Sequence, residues 1–163
     1  MQSIQMKEVT CDERQILGLS VRTNNAAEMK VETAKIGALH GAFQQQVTVN
    51  YENGAHLFGV YHDYESDHTG DYSVLLGSEE SALTMTNTAN KASLGTVTLS
   101  AGKYLVFSGA GEMPQVVIDI WGEIWRYFSG ESLQGLPKYQ RAFTTDFERY
   151  TSANSVDVYI AIL

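Results

Sequence analysis

The two halves of this chain carry the same patterns in the same order, and that repeat restricts the fold more than any single motif does. VTCDERQILGLS (9–20) lies over VTLSAGKYLVFS (97–108) without a gap, matching Val, Thr, Leu and Ser and keeping Ile16/Tyr104 and Leu19/Phe107 apolar. Both segments read as strand, tight turn, strand. KIGALHGAF (35–43) lies over VVIDIWGEI (116–124), with Ile36 on Val117, Gly41 on Gly122 and His40 on Trp121, and both read as helix. HDYESD (62–67) lies over TDFERY (145–150), so Asp63, Tyr64 and Glu65 answer Asp146, Phe147 and Glu148. No one match is strong, but three in the same order describe a duplicated unit.

The second helix is the clearer of the two. Gly111, Glu112, Met113 and Pro114 supply a start with proline in the first turn. Val117, Ile120, Trp121, Ile124, Trp125 and Phe128 then recur at helical spacing, and Gly130 supplies the stop. The first helix, roughly 34–47, carries a thinner stripe of Ile36, Leu39, His40 and Phe43. LFGVYHDYES, DYSVLLG, KYLVFS, RAFTTDFERY and VDVYIAIL alternate with period two and are separated by the turn-like HTGD, SAGK and TSANS. Each half is therefore a strand-helix-strand-strand unit with a split first strand, and neither half covers its own sheet. The expectation is an α+β fold in one domain over 1–163. It is a tandem βαββ repeat, divided at about 80/81, with pseudo-twofold symmetry, one antiparallel sheet, two helices on one side and a groove at the junction.

Charge and spacing exclude several functions. Nineteen acidic against eleven basic residues give a net charge of -8, the wrong sign for displacing phosphate counterions, so direct nucleic-acid binding is not expected; long-range attraction of cationic ligands is. No run of about 18 apolar residues exists, and MQSIQMKEVTCDERQ has no apolar signal core, so neither membrane spanning nor export is expected and a cytoplasmic location is. Cys11 is the lone cysteine, which rules out an internal disulfide and a thiolate zinc cage. His62, Asp63, Glu65, Asp67, His68 and Asp71 crowd one stretch, but strand alternation separates His62 from the carboxylates and the oxygen spacing is not that of an EF-hand. The segment reads as a polar hairpin turning at Gly70, with no metal and no cofactor expected. No nucleophile elbow or phosphate loop is present.

The paired βαββ order, with YHDYESDHTGDYSVLLG, AGKYLVFSGAG, IWGEIWRYF and TTDFERY ahead of VDVYIAIL, resembles the gyrase-inhibitor-like (GyrI-like) superfamily from about Met6 to Leu163. That superfamily includes the effector-binding domains attached to AraC-type and MerR-type transcription regulators of multidrug response. The resemblance implies a cleft between the halves, walled by aromatic and aliphatic groups around one acidic residue, that receives hydrophobic, often cationic, small molecules. Glu148 occupies the family's glutamate position. No helix-turn-helix fits in the sequence, so the resemblance implies a stand-alone ligand-binding module whose regulatory role, if it has one, needs a separate DNA-binding partner. It also leaves open a hydrolase of strained electrophiles, with Glu148 and Tyr150 positioning and deprotonating a water. Last comes a gyrase-type protein inhibitor acting through acidic mimicry of DNA, ranked so because the acids are scattered.

Alternation in RAFTTDFERY puts Phe143, Thr145, Phe147 and Arg149 on one face and Ala142, Thr144, Asp146, Glu148 and Tyr150 on the other. Taken alone, these residues favour a solvated Glu148, since charged side chains are rarely buried; the resemblance reverses that reading. A carboxylate among rings is desolvated, and a cation beside it offsets the cost, with ring faces adding about 0.5–2 kcal/mol per cation-π contact. The candidate walls are Tyr61, Tyr104, Phe107, Trp121, Trp125, Phe147, Tyr150 and Tyr159. Tyr150 is favoured because it shares the face of Glu148, and Trp121 or Trp125 because they line the second helix. His40 is expected to pack, and Glu65 to add negative potential to the cleft.

Overall fold

In a computed structural model, residues 4–51, 54–85, 94–130 and 138–163 are described. The chain opens with strands β1 (Gln5–Cys11) and β2 (Arg14–Thr23), joined by Asp12 and Glu13 alone. A short helix α1 (Asn25–Glu28) and the longer α2 (Ile36–Gln46) lead into β3 (Val47–Val49) and then the antiparallel pair β4 (Leu57–His62) and β5 (Tyr72–Ser78). β6 (Leu83–Met85) pairs with β3 as a separate two-stranded ribbon. The second half repeats the order with β7 (Gly95–Leu99), β8 (Gly102–Ala110), α3 (Gln115–Ser129), β9 (Thr145–Ser152) and β10 (Ser155–Ala161). Eight strands form one antiparallel sheet in the order β1-β8-β10-β9-β4-β5-β2-β7, the expected α+β architecture.

The halves exchange their first strands: β1 pairs with β8 of the second half, and β7 pairs with β2 of the first. β1 thus stands at one end of the sheet while β2 stands next to the other. Two linking residues reach only about 10 Å. The sheet must therefore curl until its ends approach. Ile16, Phe58, Val60, Leu75, Leu99, Tyr104, Phe147 and Ala161 fill the inside of that curl as one cluster, supplied by strands alone.

The opposite face carries the two long helices, α2 and α3. Leu39 and Phe43 of α2 pack on Tyr72, Val74 and Leu76, while Val116, Ile120 and Ile124 of α3 pack on Leu105, Phe107, Val156, Val158 and Ile160. Each fully buried side chain of this kind stabilises the fold by about 1.5–3 kcal/mol. α3 starts one residue after Pro114 and ends at Gly130, whose left-handed φ of 84° lets its N–H return to the carbonyls of Arg126 and Tyr127. α2 is shorter than the expected 34–47. Its thin apolar stripe makes it depend on the sheet beneath it.

The repeat can be traced through the ladders. The β1–β2 corner answers the β7–β8 corner, since Arg14 pairs with Leu99 and Cys11 with Gly102. From there the pair Leu17–Ser78 answers Leu105–Ile160, and the pair Gly59–Leu76 answers Glu148–Val158. The structural counterpart of Glu148 is therefore Gly59, not Glu65. The third sequence match fails because HDYESD begins at the last residue of β4 and runs into an exposed turn, whereas TDFERY opens β9; Glu65 lies in that turn, exposed. The strand expected from Arg141 onward begins only at Thr145, because Phe143 takes a φ of 54° that breaks the alternation.

Candidate functional site

Gly59 and Glu148 are not only equivalent but cross-strand partners, so the pseudo-twofold axis passes between them. One repeat places a carboxylate on the axis and the other places nothing. A Cβ on Gly59 would lie 3.0 Å from Oε1 of Glu148, so the glycine leaves the room that the carboxylate occupies.

Glu148 is 4% exposed. Tyr61 donates its hydroxyl proton to Oε2 at 2.9 Å, Trp121 donates its indole N–H to Oε2 at 2.7 Å, and Tyr150 donates to Oε1 at 2.8 Å. Tyr61 and Tyr150 are themselves repeat equivalents, each two residues beyond the axis position, so a symmetric pair of phenols grips a single acid. The ring contacts follow the same symmetry, with Trp121 of α3 against Tyr61 at 5.0 Å and His40 of α2 against Tyr150 at 6.4 Å between centroids.

All three donors are neutral, and among the described residues no lysine, arginine or histidine pairs with Glu148. Burying an ion without a counter-ion costs several kcal/mol even after relaxation, and three donors offset only part of that. Burial first, and then the charge of Glu148, push the hydroxyls of Tyr61 and Tyr150 well above the ordinary tyrosine range, so both remain donors far into alkaline pH. Burial lowers the pKa of His40, with the charge of Glu148 opposing it.

The carboxylate faces a half-open cavity of about 1260 Å³ bordered by α1, α2, α3 and the helix face of β4, β5 and β9. Glu148, Tyr61, Tyr150, Trp121 and Trp125 of the sequence candidates line it, Trp125 at the mouth with its ring 6.3 Å from that of Trp121. His40, expected to pack, also faces the cavity.

Tyr104, Phe107 and Phe147 do not line it. Phe147 neighbours Glu148 along β9 and so points to the other face, where its ring stacks on Tyr159 at 4.3 Å inside the curl. Tyr104 lies in the same cluster, donates to the Ser100 carbonyl at 2.6 Å, and is pushed up to about 12 chiefly by burial. Phe107 is on the helix face but lies directly under α3, edge-on to Tyr127 at 5.9 Å.

β9 carries a second buried acid that the residue pattern did not mark. Asp146 is fully buried, accepts from Arg141 at 2.7 Å and from the Ala161 N–H at 2.8 Å, and also accepts from Tyr64. Arg141 borders the cavity, yet its charge is already committed to Asp146 and does not serve Glu148. Its place on the same strand face as Glu148 was legible; its partner, which lies before the strand, was not. Among the described residues no cluster of metal-ligating side chains occurs, and no helix is long and apolar enough to cross a membrane.

The duplicated βαββ sheet, with its long helices on one face and a cavity at the seam, is a GyrI-like effector-binding fold. The chain belongs to the family of Cass2, integron-associated effector binding protein, whose model matches residues 9–162. It is similar to the integron cassette protein VCH_CASS2 from the mobile metagenome of Vibrio cholerae, at 36% identity and a TM-score of 0.81, covering 99% of this chain and 100% of that one. The Bacillus subtilis protein YobU, described as a transcriptional regulator, is 28% identical over 162 residues, 93% of each chain. SAV2435, solved bound to tetraphenylphosphonium, shares the fold at a TM-score of 0.63 with 17% identity, covering 98% of this chain and 94% of that one.

Proposed function

We propose that this protein captures hydrophobic, preferentially cationic small molecules in the seam cavity, with Glu148 as the counter-charge and Trp121, Trp125, Tyr61 and Tyr150 as the aromatic surround. One observation carries the reading: a buried carboxylate, held only by neutral donors, opens onto a cavity large enough for a drug-sized molecule. A ligand cation supplies the ion that the fold omits. At an effective dielectric of about 20 two unit charges 4 Å apart attract by about 4 kcal/mol, enough to outweigh the cation's own desolvation when ring faces also receive it. The tetraphenylphosphonium found on SAV2435 is of the expected class and supports the same reading here.

Three protein hydrogen bonds already fill most of the acceptor sites of Glu148, leaving one on Oε1 for a water. That favours binding over hydrolysis. The test is Glu148→Gln, which removes the charge and keeps the shape. A lipophilic cation should bind the variant at least about tenfold more weakly, a loss of about 1.4 kcal/mol, while a neutral analogue of the same shape binds both proteins alike. Equal losses for the two compounds reject the counter-charge role.

A further inference from the structure

The symmetry that centres the cavity on Glu148 is broken in its two helical walls. Buried Leu39 and Phe43 of α2 answer buried Ile120 and Ile124 of α3, which fixes the helix equivalence. At the cavity-facing positions Gly37, His40 and Gln44 then answer Ile118, Trp121 and Trp125, and all six residues line the cavity. At these three positions one wall is bulky and apolar, while the other is small and polar beside the aliphatic Ile36.

The polar wall has unused hydrogen-bonding capacity. Neither His40 nor Gln44 has a hydrogen-bond partner among the described residues. Gln44 offers both donors and an acceptor, and the neutral imidazole of His40 offers one of each. Space is available beside them, since a side-chain carbon on Gly37 or Gly41 would meet nothing within 4 Å. On the opposite wall Trp121 and Trp125, the only two tryptophans of the chain, present ring surface, with Ile118 and Trp125 partly open at the mouth. The carboxylate sits on the axis between the walls, so the two ends of a ligand centred on it meet different chemistry.

We propose that the cavity holds its cation in one fixed orientation, an aryl body against Ile118, Trp121 and Trp125 and a hydrogen-bonding arm toward His40 and Gln44. The preferred ligand class is then an aryl cation bearing an amide or hydroxyl arm, not an all-apolar one. This inference rests on Glu148 as counter-charge, and its failure is separable from the failure of that reading.

The experiment compares two (naphthylmethyl)dimethylammonium cations, one carrying a propanamide arm and the other an alkyl arm of the same length. Both are titrated calorimetrically into the full chain while tryptophan emission is recorded. The amide cation should bind about three- to tenfold more tightly, the range of one or two added hydrogen bonds. Both cations should perturb tryptophan emission equally, because both place the aryl body on the same wall. The double variant Gln44→Leu/His40→Phe should bring the affinity ratio to about one. Gln44→Leu alone, at an exposed position that the fold does not depend on, should at least halve the ratio. Equal affinities for the native chain, or a preference that survives both variants, overturns the orientation while leaving the counter-charge intact. If neither cation binds the native chain, the counter-charge reading falls and the orientation with it.

Discussion

Replacing Gly59 by alanine tests whether the axis position is empty in order to seat the carboxylate. The added Cβ would stand 3.0 Å from Oε1 of Glu148 and 3.8 Å from Cδ, so the carboxylate must move by a few tenths of an ångström. Oε1 is the oxygen held by Tyr150 alone, whereas Tyr61 and Trp121 share Oε2, so the strain falls on a single hydrogen bond. A hydrogen bond to a charged group is worth about 1.5–3 kcal/mol. Removing a strand glycine returns about 0.5–1 kcal/mol of backbone entropy. The net expectation is a loss of about 1 kcal/mol, or a fall in Tm of about 2–4 °C for a chain of this length. Urea denaturation followed by far-ultraviolet circular dichroism measures it. The decisive arm is the same substitution in a Tyr150→Phe background, where the bond is already gone and alanine should be neutral or stabilising. Equal costs in the two backgrounds would show that the alanine acts elsewhere and would refute the reasoning.

Three other outcomes follow from where the side chains lie. Phe107→Ala and Phe147→Ala should each lower unfolding free energy by about 3–5 kcal/mol in denaturant titrations, yet leave the cation affinity of the folded fraction unchanged, because neither ring borders the cavity. Asp146→Asn leaves the Arg141 guanidinium buried opposite a neutral amide and should cost about 3–5 kcal/mol, read by the same titration. Cation affinity should be level above pH 7 and decline as pH falls below the ordinary histidine range. There His40, its pKa lowered by burial, gains a proton and places a competing positive charge in the cavity. His40→Gln should flatten that decline, and an unchanged pH profile in the variant would show that another group is responsible.

Much of the fold was legible because it rests on periodicity and duplication. The strand-turn-strand match of 9–20 with 97–108 lands on the two equivalent corners, and the helix match lays buried Leu39 and Phe43 over buried Ile120 and Ile124. What the sequence concealed were contacts set by topology. The exchange of β1 and β7 between halves leaves no local signal, and without it the curl, and the cluster hidden in it, could not be foreseen. That is why Tyr104 read as a cavity wall when it fills the curl; Phe147 was already set opposite Glu148 by alternation, and Phe107 lies beneath α3. Gly59 was passed over because an absent side chain carries no chemistry in sequence, although a glycine between Phe58 and Val60 in a strand marks a close approach. The HDYESD match misled for a related reason: similar residue types lay in a turn in one half and in a strand in the other.

Whether Glu148 serves as a counter-charge can be seen in a crystal structure of the chain soaked with a lipophilic monocation such as tetraphenylphosphonium. The cationic centre should lie in the seam cavity, within reach of the Glu148 carboxylate and flanked by the rings of Trp121 and Tyr150. A cation bound anywhere else, with Glu148 still held only by Tyr61, Tyr150 and Trp121, would contradict it.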